Sequence, residues 1–152
     1  MGTVNIATIA TSIAAYDVTG VDIKDIDKIP EAVTDRQCPI MFPDPDNFVT
    51  GFELSRESYG TDSTAKKDVK YTMNYLFLYC PVGATRTLAA AEDKLYTKAA
   101  AILDAFADDS NPSGAIDAVP VLGNAGVLQG PNGDNFFGCR IAINILTFYE
   151  VN

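Results

Sequence analysis

The chain contains no histidine. That single absence removes Ser–His and Cys–His nucleophilic catalysis, along with the commonest transition-metal ligand. Cysteine is scarce: Cys38, Cys80 and Cys139 stand far apart with no paired spacing, inside or beside apolar segments. They read as buried thiols rather than as a disulfide with one orphan. Basic residues are few, 11 Lys and Arg against 20 Asp and Glu, giving a net charge of −9 and a pI near 4.3. A chain this acidic does not grip nucleic acid through its phosphates. No apolar run approaches the roughly 20 residues that a membrane helix needs. The first residues also lack a basic stretch ahead of an apolar one, so no cleaved secretion signal is expected. Gly123-Asn-Ala-Gly126 opens no helix and no Gly-Lys-Ser/Thr follows it, so a phosphate-binding loop is not supported.

What is present is ordinary globular material. With 152 residues, 47% apolar and 20% charged, the chain predicts one domain, 1–152, with a substantial core. Its organising stretch is Val69–Phe106. Tyr71, Met73, Tyr75, Phe77 and Tyr79 alternate with Thr72, Asn74, Leu76, Leu78 and Cys80, which predicts a strand with one aromatic face and a second face that turns apolar near its end. Pro81 and Gly83 end it. Thr85 or Thr87 can cap the following helix, where Leu88, Ala91, Leu95, Ala99, Ile102 and Phe106 form one apolar stripe.

Around this pair the remaining pieces fall in order. Ile6, Ile9, Ala10 and Ile13 predict a short helix within Val4–Tyr16. Asp17, Asp22, Asp25 and Asp27 alternate with Val and Ile and miss the spacing of a calcium loop, so the segment reads as exposed and extended, with no metal assigned. Cys38–Pro43 predicts a short apolar strand whose bounding prolines suit a sheet edge or a strand end, and Asp44–Asn47 a turn. Phe48–Leu54 resumes as strand. Ser55–Lys70 is polar and crowded with charge, which predicts a long flexible loop at about 55–70. That loop is the candidate contact surface, through Arg56, Glu57, Tyr59, Lys66 and Lys67. Two acids, Asp108 and Asp109, close the long helix against its dipole and predict a solvated end. Val119–Leu122 and Val127–Leu128 are short apolar pieces. Phe136–Tyr149 is apolar on both faces and predicts a central strand or a sheet covered on both sides.

The sum is an α+β domain: a four- to five-stranded antiparallel or mixed sheet covered by one short N-terminal helix and one long helix. Carboxylate pairs such as Asp44 with Asp46 lie in turns, where acids are common for structural reasons. No catalytic residue, metal ligand or cofactor is assigned. The residues describe a binding or structural domain rather than an enzyme, and a non-viral cytoplasmic α+β binding or regulatory domain is one reading of them.

The order of the pieces resembles the tail terminator (tail-completion) proteins of tailed bacteriophages. The resemblance rests on the N-terminal helix, the segment ending Ile29-Pro-Glu-Ala-Val33, and the short strand Pro39-Ile-Met-Phe-Pro43. It continues in Tyr71–Tyr79 leading into the helix Lys94–Phe106, and in the closing strand Cys139–Tyr149 after a Gly/Asn-rich loop. It implies a subunit of a hexameric ring that caps the tail tube, stops its polymerisation and docks the head connector or stopper protein. Tail tube protein and connector would be its partners. Genomic DNA would pass through without specific binding, and the protein would sit in the tail or neck of the virion after assembly in the host cytoplasm. Neighbouring neck, head–tail joining and tube proteins are similar enough to stand as the alternative. On this resemblance Arg56, Glu57, Tyr59, Lys66 and Lys67 become subunit or tube contacts.

Overall fold

The computed structural model describes residues 6–59, 66–83, 88–109, 111–112, 115 and 117–150. Helix α1 spans Ile6–Ala14, and strands follow at Asp22–Ile23 (β1), Ile40–Pro43 (β2), Val49–Tyr59 (β3) and Lys66–Pro81 (β4). Helix α2 covers Leu88–Asp108, and the chain closes with strands at Asp117–Leu122 (β5), Gly126–Gln129 (β6) and Asn135–Glu150 (β7). Two short 3-10 turns, Ile26–Lys28 and Asp35–Gln37, lie between β1 and β2. The class is α+β, and the two expected helices are present. The sheet is larger than the expected four or five strands: it is a mixed, curled sheet of seven. The short pieces 117–122 and 126–129 each form a strand, and β1 adds a two-residue parallel partner to β2.

Two 16-residue strands, β4 and β7, are antiparallel neighbours along their whole length, from Lys66↔Glu150 to Pro81↔Phe136. Each uses its outer edge twice. The N-terminal half of β4 carries β3 and its C-terminal half carries β2, with β1 beyond. On β7 the same division places β5 on one half and β6 on the other. β7 is therefore central, as its two apolar faces predict. β2 is not an edge: it is wholly buried between β1 and β4. Its prolines take the other place expected of them, the strand ends, where they bound β2 without interrupting its ladder.

Alternation in β4 sets the layers. Val69, Tyr71, Met73, Tyr75 and Phe77 face the helices with Cys139, Ile141, Ile143 and Ile145 of β7. Against them pack Ile9, Ala10 and Ile13 of α1 and Ala91, Leu95, Ala99, Ile102 and Phe106 of α2. The helical stripe read from the sequence is thus the buried one, Leu95 and Ile102 at 0% exposure. Thr85 and Thr87 lie outside the described residues. Leu76 and Leu78 point the other way, into a smaller core with Ile40, Phe42, Val33 and Phe136, covered by the segment around Ile29 and Cys38. A bulge at Tyr79 shifts the register between Leu78 and Cys80, returning Cys80 to the helix side opposite Phe137. Beside it Gly138 runs so close to the Phe77 carbonyl that a Cβ would collide with backbone.

The segment after α1 is more structured than its alternating acids suggest. Val18, Val21 and Ile23 are buried, and Asp25 accepts from the Ile26 N–H and the Thr11 hydroxyl at 2.7 Å each, tying the segment to α1. Tyr16 donates its hydroxyl to the Asp109 carbonyl at the end of α2 and meets the Phe106 ring edge-on at 4.9 Å. Asp108 and Asp109 are exposed, as expected. Cys80 and Cys139 are buried thiols and Cys38 is half-buried. Burial pushes Cys139 up to about 11 and Tyr71 up to about 12.

The Ser55–Lys70 loop needs correction. Its backbone is strand from Ser55 to Tyr59 and again from Lys66, with Tyr59 paired to Lys66, so the excursion is a β-hairpin arm. Residues 60–65 lie outside the described residues. Polar composition hid the strands because backbone ladder bonds can form without any apolar alternation in the side chains.

Candidate interaction surface

The helices cover one face of the sheet, and over half of its length the other face is open. Register lines up side chains of β3, β4, β7 and β5 there in cross-strand rows: Glu53–Lys70–Leu146–Asp117, then Thr50–Thr72–Asn144–Val119, then Asn74–Ala142–Val121. Val119 and Val121 are 46% and 50% exposed, Lys70 and Asn144 are exposed, and Leu146 and Ala142 are half-buried. Thr72 donates to the Asn144 side chain at 2.9 Å, which fixes the middle row. A hollow of about 250 Å³ opens here, lined by Leu146 with Gly51, Lys70, Asp117 and Val119 around it.

Towards the other half the face deepens into a groove of about 1110 Å³ between the Ile29–Glu31 segment and the loop containing Gln129 and Pro131. At its head β4 exchanges one neighbour for another. The Asn74 carbonyl accepts from Asp44 N–H at 2.9 Å, and Asn74 N–H donates to the Phe48 carbonyl at 2.7 Å, so β2 departs and β3 arrives at a single residue. The Asn74 side-chain amide also donates to the Asn47 carbonyl at 3.1 Å and to the Thr50 hydroxyl at 3.0 Å. Asp44 accepts the Asp46 N–H at 3.0 Å, closing the turn, and binds the Arg140 guanidinium of β7 at 2.8 Å. The Asp44 side chain is 8% exposed and that of Arg140 is 64% exposed. The acid is a structural buttress, and the arginine keeps most of its donors towards the groove.

The edges beside the open face differ from it in character. Gly123 N–H donates to the Arg140 carbonyl at 2.7 Å, which makes Asp117, Val119 and Val121 the residues of β5 bonded to β7. The outward N–H groups then belong to Ala118, Pro120 and Leu122. Ala118 N–H is taken by the Asp117 carboxylate at 3.0 Å, and Pro120 has none to give. β5 is therefore closed to a further strand by its own sequence. β3 carries two register shifts, the first at Gly51, whose φ of 64° suits glycine. This side therefore offers side chains rather than a free backbone ladder.

Of the residues singled out in the sequence, Arg56, Glu57 and Tyr59 fall in β3 and Lys66 and Lys67 at the start of β4. The backbone brings Tyr59 opposite Lys66, while the side chains of all five lie outside the described residues. Lys70, Asp117, Val119, Val121 and Arg140 were missed. Val119 and Val121 had a signal, exposed alternation around a proline, but a short apolar run looks the same whether buried or open. Arg140 had a weaker one, a lone cation within an apolar strand. Compared with known proteins, the chain matches no family model and no curated sequence.

Proposed function

We propose that the chain is a structural subunit that assembles into a ring at the end of a phage tail tube, where it stops polymerisation and receives the head connector. The observation that carries this reading is the layout. The pieces on which the resemblance rests are α1, β2, β4, α2 and β7, and these are the elements that build the double core. A rigid two-strand spine with an arm at one end and a groove at the other suits a subunit that touches neighbours on several sides. The arm, through Arg56, Glu57, Tyr59, Lys66 and Lys67, supplies the subunit or tube contact, and the acid excess keeps DNA from adhering as it passes. The test is assembly. Sedimentation across a concentration series and negative-stain imaging, with and without tail tubes, should reveal rings and tubes capped at one end. A chain that never binds or caps a tube under these conditions is not a terminator.

A further inference from the structure

The open face carries a row whose charges are arranged for its own copy. Glu53, Lys70, Leu146 and Asp117 are cross-strand neighbours on β3, β4, β7 and β5, so a cation and an anion flank an apolar residue on the central strand and a second acid lies beyond the cation. Strand spacing sets the two charged positions about 10 Å apart, on either side of β7. We propose that two copies of the chain meet face to face over this row, about a two-fold axis running along β7. Rotation about that axis brings each Lys70 over the partner's Asp117 and sets Leu146 against its own copy. The next row follows the same symmetry: Asn144 meets Asn144, and Val119 is covered by the partner's Thr72.

Charge complementarity selects the occupant. For chains of net charge −9, most relative approaches are repulsive. Rotation carries Glu53 beyond the β5 edge, where it faces no strand, so the row still offers two ion pairs for every contact, one on each side of the half-buried Leu146. Because β5 is closed by Pro120 and by the Asp117–Ala118 bond, the copies join through side chains, as stacked sheets do, and not by extending the ladder. The contact is separate from the ring reading and holds for the free protein.

The test is charge reversal at constant fold. Lys70→Glu, Asp117→Lys and the double variant are compared with the parent by sedimentation over a concentration series, with thermal melts to confirm folding. Each single reversal places like charges opposite each other twice per dimer and should weaken association by about tenfold or more. The double variant keeps the parent's net charge and should recover to within a few-fold. Asp117→Lys decides most sharply. It makes the chain less acidic, so general repulsion alone predicts tighter association, whereas the row predicts weaker. A dimer or larger assembly indifferent to the reversals, or a double variant no better than the singles, overturns the proposal and leaves the ring reading intact. A parent that stays monomeric at every concentration, with and without tubes, overturns both.

Discussion

Arg140 on β7 reaches across β4 to bind Asp44 at 2.8 Å, joining the central strand to the turn where β2 gives way to β3. The pair is asymmetric: the carboxylate is nearly buried and the guanidinium mostly solvated. Removing the arginine strands an acid, whereas removing the acid frees an arginine into water. Arg140→Ala should therefore cost about 1–3 kcal/mol in urea unfolding. Adding Asp44→Asn to that variant should restore stability, because a neutral amide still accepts the Asp46 N–H without a stranded charge. A double variant no more stable than Arg140→Ala alone would show that the pair holds nothing together.

The stripe of α2 provides a second measure. Leu95 and Ile102 are fully buried in the core between α2 and the sheet. Alanine at either site should cost roughly 2–5 kcal/mol, the range for a large aliphatic deleted from a packed core. Losses below half a kilocalorie at both sites, read from denaturant midpoints, would contradict the layering.

Alkaline pH should destabilise the protein through its buried phenols and thiol. Tyr16 is raised to about 12 by desolvation and then by Asp109, Tyr71 to about 12 by desolvation, and Cys139 to about 11 by desolvation. Tyr75 is raised as well, chiefly by burial. A group whose folded pKa lies above its unfolded value contributes stability below the unfolded pKa and loses it as pH rises. Stability should accordingly be level up to about pH 9 and fall between about pH 9 and pH 12. Thermal midpoints across that window check it, and Cys139→Ala should remove the lower part of the decline.

Much of the fold could be read from period alone. The aromatic alternation of β4, the helical stripe of α2 and the two-sided apolarity of β7 each have long, regular patterns that burial enforces. What could not be read lies where the sequence carries no apolar period. The β3–β4 arm is strand without an apolar face, so its composition passes for loop. The two-residue β1 exists only because β2 is beside it. The open face was illegible for a related reason: Lys70, Leu146 and Asp117 are distant in sequence, and only the register of three strands makes them a row.

The charge balance leads to a prediction about DNA. With 20 acids against 11 bases, the isolated chain should not retain duplex DNA at physiological salt. Sub-micromolar retention in a mobility assay would contradict an acid-lined passage and count against the proposed role.

The arm is where fold and assembly can be separated. Removing all of 55–70 would cut Val69↔Thr147 and Lys70↔Leu146 out of the central ladder, so loss of function there would mean only loss of fold. The cut belongs between Tyr59 and Lys66, which already face each other across the hairpin. Replacing residues 60–65 by Asn-Gly joins them with a two-residue turn of the kind that matches strand twist. Such a turn shortens the closed loop, so the thermal midpoint should hold or rise slightly. Replacing Lys66 and Lys67 with Gln in the same background then tests whether the arm's cations meet acidic neighbours. Ring assembly or tube capping should weaken, and the deficit relative to the parent should shrink at raised salt, where such pairs are screened in both proteins. Tails that terminate at normal length in both variants, with midpoints unchanged, would show that the arm makes no contact and that neighbours bind elsewhere on the subunit.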